Sequence, residues 1–168
     1  MKQVQIFKLL TYLLIPIALL FGLLALLALL TAIANPALLF LVFMFSCITI
    51  YTFSSLRFVT TAINKAKNCN PSLKDWIKIN GYISVGTAFM FLLNSIAILM
   101  LGPIEFNDFV SKAIEKQGSL PPSITPAFLG QMLKYTTFFM LITSIIILVH
   151  TRMQFIYLKA YSYVFESE

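Results

Sequence analysis

From Leu9 to Ala34 the chain carries no charged side chain. A helix needs about 20 such residues to cross the hydrocarbon core of a bilayer. Three further long apolar blocks follow, at about 36–59, 77–101 and 127–151, each with a single lysine or arginine toward one end. Hydrophobic residues make up 60% of the chain, against roughly 45–50% in soluble domains, and only 11% are charged. A domain of 168 residues cannot hide that excess within itself. The blocks therefore predict an all-α integral membrane four-helix bundle forming a single membrane domain. Lys2, Lys8 and Ala32-Ile33-Ala34 imitate the flanks of a signal peptide. The run between them exceeds the roughly 7–15 residues of a signal h-region, so a retained helix is expected.

Proline and its neighbours punctuate these blocks. Pro16 lies inside the first and removes one backbone bond. Asn35-Pro36 supplies an N-cap and a first helical residue, so the first two spans form a tight helical hairpin. Ser72-Leu73-Lys74-Asp75 resembles a capping box ahead of the third span, with Trp76 at the interface. Gly102-Pro103 ends that span. Between about 103 and 117, Ile104, Phe106, Phe109, Val110, Ala113 and Ile114 alternate at helical spacing with charged residues. This predicts a short amphipathic helix in the outer loop, lying on the membrane or packed over the bundle. Gly118 can end it, and a proline-bearing linker at 120–125 leads to Thr125-Pro126, a third cap-and-proline start. Helix-compatible residues continue to about 165, so the fourth helix is expected to project past the bilayer or bend along it.

Lysine and arginine fall unevenly. Lys2, Lys8, Arg57, Lys65, Lys67, Lys74, Lys78, Arg152 and Lys159 gather on one side, and Lys112, Lys116 and Lys134 on the other. The positive-inside rule then places both termini and the middle loop in the cytoplasm of a multi-pass plasma (inner) membrane protein of bacterial type. The first and third spans also align without a gap, Lys8 on Lys78, Tyr12 on Tyr82 and Ala18 on Ala88. Two parallel-repeated helical hairpins are one reading. Coincidence within a small membrane alphabet is the simpler one.

Chemistry-bearing groups are sparse. No carboxylate lies in a span centre, which argues against proton- or sodium-coupled transport. Thr136, Thr143 and His150 recur every seven residues, and Gln154 lies one turn beyond. They form a candidate polar strip on the fourth helix, either lining an interior or simply placing an imidazole near the headgroups. Haem bound by two histidines needs a second one, and the chain has one. Cys47 and Cys69 suggest neither disulfide nor metal site. Ala18, Gly22 and Ala25 on the first helix, and Gly81, Ser84, Ala88 and Ser95 on the third, form small-residue faces for close helix packing. Asn94 is the most polar deep residue and is expected to bond to a neighbouring helix.

No motif names a family, a catalytic residue, a cofactor or a metal. The sequence favours a non-catalytic accessory or scaffold subunit. Its expected partners are the lipid bilayer and another membrane protein or a second copy of itself, with no nucleic acid. The alternative is a small oligomeric channel or uncoupled transporter lined by the polar strip.

Overall fold

In a computed structural model describing residues 2–117 and 125–165, the chain is helical throughout, with no strand among those residues. Five helices follow in order: α1 (Lys2–Ala32), α2 (Leu38–Phe58), α3 (Pro71–Leu99), α4 (Pro103–Gln117) and α5 (Pro126–Ala160). A π-helical turn, Val59–Ile63, prolongs α2, and a 3-10 turn, Ser162–Phe165, follows α5. Four segments are long and apolar enough to cross a membrane: α1, α2 with its π turn, α3 and α5. Mean hydropathy reaches 3.0 in α1 against 1.8 in α3, so α1 is the helix least able to stand in water. Its outward residues Leu9, Leu19, Leu23, Leu26 and Leu30 are exposed, an arrangement that hydrocarbon solvates and water does not.

The ends follow local chemistry. α1 starts at Lys2, because the turns before the apolar run are themselves helix formers and carry the buried Phe7. It continues through Pro16 without interruption. Asn35 Oδ1 accepts from Ala37 N at 3.2 Å, which closes the hairpin to α2. α3 begins at Pro71, not at the box starting with Ser72: Asn70 Oδ1 accepts from Ser72 N at 2.9 Å. Asparagine caps and proline at the first position needs no N–H; Asn35-Pro36, by contrast, lies in the turn before α2, which starts two residues later than expected, at Leu38 with Ala37 as its N-cap. Thr125 Oγ1 accepts from Phe128 N, so the third such start forms as the sequence suggests. The linker at 120–125, apart from Thr125, and Gly118 lie outside the described residues.

Inward positions alternate by three and four. On α1 they are Phe7, Thr11, Leu14, Ala18, Phe21 and Ala25, and on α2 they include Met44, Ile48, Tyr51, Ser55 and Phe58. Residues three and four apart share one helix face, so each of these helices offers one narrow stripe to its neighbours. The chain divides into two compact units, Met1–Ala88 with Ile146–Glu168, and Phe89–Ile145.

In the first unit all four long helices contribute. One buried cluster joins Phe7 of α1, Tyr51 and Phe58 of α2, Ile77 of α3 and Leu158 of α5. The segment after α5 belongs to it as well. α5 continues past Thr151 as expected but ends at Ala160, short of 165, and the 3-10 turn folds back with Val164 and Phe165 buried. Phe165 stacks on Phe58 at 5.8 Å, and Val164 O accepts from Cys69 N at 2.8 Å. Burying those two apolar side chains opposes continuation of a solvated helix. Burial also pushes the Cys69 thiol above its ordinary pKa, with Arg57 pulling the other way.

In the second unit α4 lies against the start of α5. Phe106 and Val110 are buried, and a β-carbon on Gly130 would meet them at 3.4 and 3.7 Å. The Lys134 ammonium lies 4.8 Å from the Phe106 ring centre, a cation–π contact. Ile104 and Phe109 face outward. One apolar edge of α4 is therefore packed on protein, and the other is exposed.

Candidate functional site

The buried polar groups of the first unit converge on His150. This residue of α5 is fully enclosed, with its ring stacked on Phe7 at 5.0 Å and 16°. Tyr51 meets it edge-on at 5.6 Å. Both ring nitrogens are hydrogen-bonded: Nδ1 lies 2.8 Å from the Tyr51 hydroxyl, and Nε2 lies 2.9 Å from Thr11 Oγ1.

A third bond fixes the direction of the other two. Thr11 Oγ1 donates to the Phe7 carbonyl at 2.8 Å. A hydroxyl has one hydrogen, so Thr11 must accept from His150 Nε2–H. In the neutral imidazole Nδ1 is then the acceptor, and Tyr51 O–H donates to it. The result is a one-way chain from Tyr51 through His150 and Thr11 to the Phe7 carbonyl, tying α2, α5 and α1 together. Removing one member would leave a buried polar atom unsatisfied, at about 1–3 kcal/mol.

The expected polar strip splits between inside and outside. Thr143, His150 and Gln154 are buried, but Thr136 is exposed and its neighbour Thr137 is buried instead. One residue on a helix is a rotation of about 100°, enough to exchange inside for outside. Thr137 donates to Leu133 O, Thr151 to Ile147 O and Ser144 to Leu141 O. These hydroxyls are satisfied by their own helix and need no partner. Gln154 differs: both of its side-chain polar atoms are buried without a hydrogen bond, as is Ser55 Oγ on α2.

The small-residue faces are largely used inside the chain. Ala18, Ala25, Gly81, Ser84, Ala88 and Ser95 are all buried, and Gly22 is half-buried beside Thr49. Thr49 Oγ1 donates to Phe45 O at 2.9 Å and across to Ala18 O at 3.2 Å, a contact that small residues on α1 permit. At Gly81 a β-carbon would come within 3.2 Å of Phe155 and 3.3 Å of Tyr51, so any larger residue there has to push one of those rings back by a few tenths of an ångström. On α3, Asn80 is buried and donates to Trp76 O at 2.8 Å, whereas Asn94 is exposed.

Sequence reasoning did not find Thr11 or Tyr51. Counting back by seven from Ala25 and Ala18 lands on Thr11, so the small-residue stripe held that signal. Tyr51 lies among apolar residues, and its role depends on what α5 places opposite it. Among the described residues no three of histidine, cysteine, aspartate and glutamate lie close enough to share a metal ion. Set against protein-family descriptions, curated proteins and solved structures, the chain matches none.

Proposed function

We propose that this chain is a non-catalytic accessory or scaffold subunit of a membrane, packing against another membrane protein or a second copy of itself. The observation that carries this reading is Asn94. It lies in the last turns of α3 and is exposed, together with Met90, Leu93 and Ala97 on the same side of the helix. An amide facing hydrocarbon leaves donors and an acceptor unmet, and a neighbouring helix can meet them. An open groove of about 550 Å³ between α1 and α2, floored by Ala18, Gly22 and Ala25, offers a second apolar seat. The His150 cluster supports the non-catalytic part of the proposal, since both ring nitrogens are committed to structural bonds.

The lysine and arginine distribution supports an orientation with both termini in the cytoplasm of a bacterial inner membrane. The alternative of a small oligomeric channel or uncoupled transporter draws on the unpaired Gln154 amide. Phe7 stacked on His150 closes that region by dry packing and weighs against a pore there.

The test is size and composition in mild detergent. Wild-type protein is expected as an oligomer or with a co-purifying membrane protein. Asn94→Leu should weaken that association roughly five- to thirtyfold, the equivalent of one interhelical amide bond in lipid. A lone, monodisperse wild-type monomer would overturn the proposal.

A further inference from the structure

A cavity of about 370 Å³ opens between the first turns of α3 and the end of α5. Lys74 and Lys78, one turn apart on α3, line it together with Lys159 from the last turn of α5. Among the described residues none of these ammonium groups has a carboxylate partner, since the ion pair among those residues, Lys112–Asp108, lies on α4. Three like charges around one cavity repel one another unless an anion enters.

The cavity is also graded along the span. Tyr82 lies one turn beyond Lys78, and Phe155 lies one turn before Lys159. α3 and α5 run in opposite directions, so both steps lead the same way, from lysine toward the hydrophobic span. The two rings meet at 5.0 Å between centres and form an apolar inner end, and Ser162 adds a hydroxyl to the lining near Lys159. A soluble anion would use the lysines and leave the rings idle. A molecule with a phosphate at one end and a hydrocarbon tail at the other uses both.

We propose that this cavity binds the headgroup of an anionic phospholipid, with the phosphate among Lys74, Lys78 and Lys159 and the start of the acyl chains against Tyr82 and Phe155. Free phosphate shares the headgroup chemistry and is the competing source.

Native mass spectrometry of the full chain in detergent separates these outcomes, using phosphatidylglycerol and phosphatidylcholine with identical acyl chains. Phosphatidylglycerol is expected to bind preferentially, and its binding should fall as salt rises. Each lysine replaced should weaken it about fivefold, so K74Q/K78Q/K159Q should lose on the order of a hundredfold. K65Q/K67Q, which neutralises lysines outside the cavity, should bind as wild type. If the triple variant loses helicity by circular dichroism, K159Q alone must still show the fivefold loss. Wild-type binding by the triple variant, or by K159Q where the triple variant fails to fold, would overturn the proposal. Equal binding of phosphatidylcholine would overturn it too. So would inorganic phosphate that saturates the lipid-free protein as tightly as phosphatidylglycerol does, since the occupant would then be a soluble anion.

Discussion

In the first unit His150 reaches from α5 to Thr11 on α1 and Tyr51 on α2, whereas in the second unit Thr137 and Ser144 turn their hydroxyls back onto α5 itself. The same helix thus handles its polar groups in two ways along its length. A hydroxyl that bonds to the carbonyl three or four residues back satisfies itself anywhere in lipid and specifies no neighbour. An imidazole cannot do this with both nitrogens, so it dictates which helices stand beside it. The first unit is specified from within by that demand. The second carries its most polar deep residue, Asn94, on its exposed side.

The comparison can be broken by substitution, and the largest effect belongs to its centre. His150→Ala removes the stacked ring and leaves Tyr51 and Thr11 without their shared partner. A loss of about 3 kcal/mol is expected in reversible unfolding by denaturing detergent. Ser144→Ala in the second unit should stay within about 0.5 kcal/mol of wild type, since its bond lies within one helix. Equal losses from the two would erase the contrast.

Glycine positions give the next largest effect. Gly81→Ala pushes a β-carbon to 3.2 Å from Phe155 and 3.3 Å from Tyr51, at an expected cost of about 1–2 kcal/mol. Gly86 on the same helix has open space around it, so Gly86→Ala should be neutral or stabilising by about 0.5–1 kcal/mol. The same unfolding assay compares them directly.

Tyr51→Phe sharpens the contrast further, because it deletes one bond and keeps the ring. A loss of about 1–1.5 kcal/mol is expected, the low end of the cost of an unsatisfied buried group and within the range of interhelical bonds in lipid. Thr137→Val should cost less, since its hydroxyl bonds only to its own helix.

The smallest effect is expected on α4. Asp108 accepts from Lys112 at 2.7 Å and holds its ammonium above the usual lysine pKa. A raised lysine pKa favours the folded state below the ordinary lysine range, and the benefit disappears as pH climbs through the raised value. Both side chains are well exposed, so Lys112→Ala should leave unfolding at neutral pH unchanged.

What the sequence revealed follows from the scale of each signal. Membrane spans are legible because hydrocarbon requires apolar residues over a whole helix length, and all four candidate spans follow the apolar blocks. The helix start at Thr125-Pro126 was legible for the same kind of reason, a local rule with a local cause, whereas Asn35-Pro36 marks the turn between α1 and α2 and not the first residues of α2. At the third span the sequence reading took the box at Ser72 and overlooked Asn70-Pro71, which the fold uses.

Helix rotation was harder to read. Both Thr136 and Thr137 can belong to a seven-residue repeat, and a step of about 100° decides between them. Asn94 had the same ambiguity: its polarity suggested an interior place, and its position on α3 turns it outward. The return of Val164 and Phe165 was hidden because helix-compatible residues say nothing of the pocket that competes for them.

The central claim is that His150 is a structural link sealed inside the first unit, donating from Nε2 and accepting at Nδ1. The chain has a single histidine, so nitrogen-15 labelling of histidine gives an unambiguous signal in lipid bilayers. Solid-state NMR should show Nε2 carrying the hydrogen and Nδ1 without one, with the Nδ1 resonance moving in Tyr51→Phe. A hydrogen on Nδ1, or a ring exchanging freely with water and indifferent to Tyr51, would contradict the account.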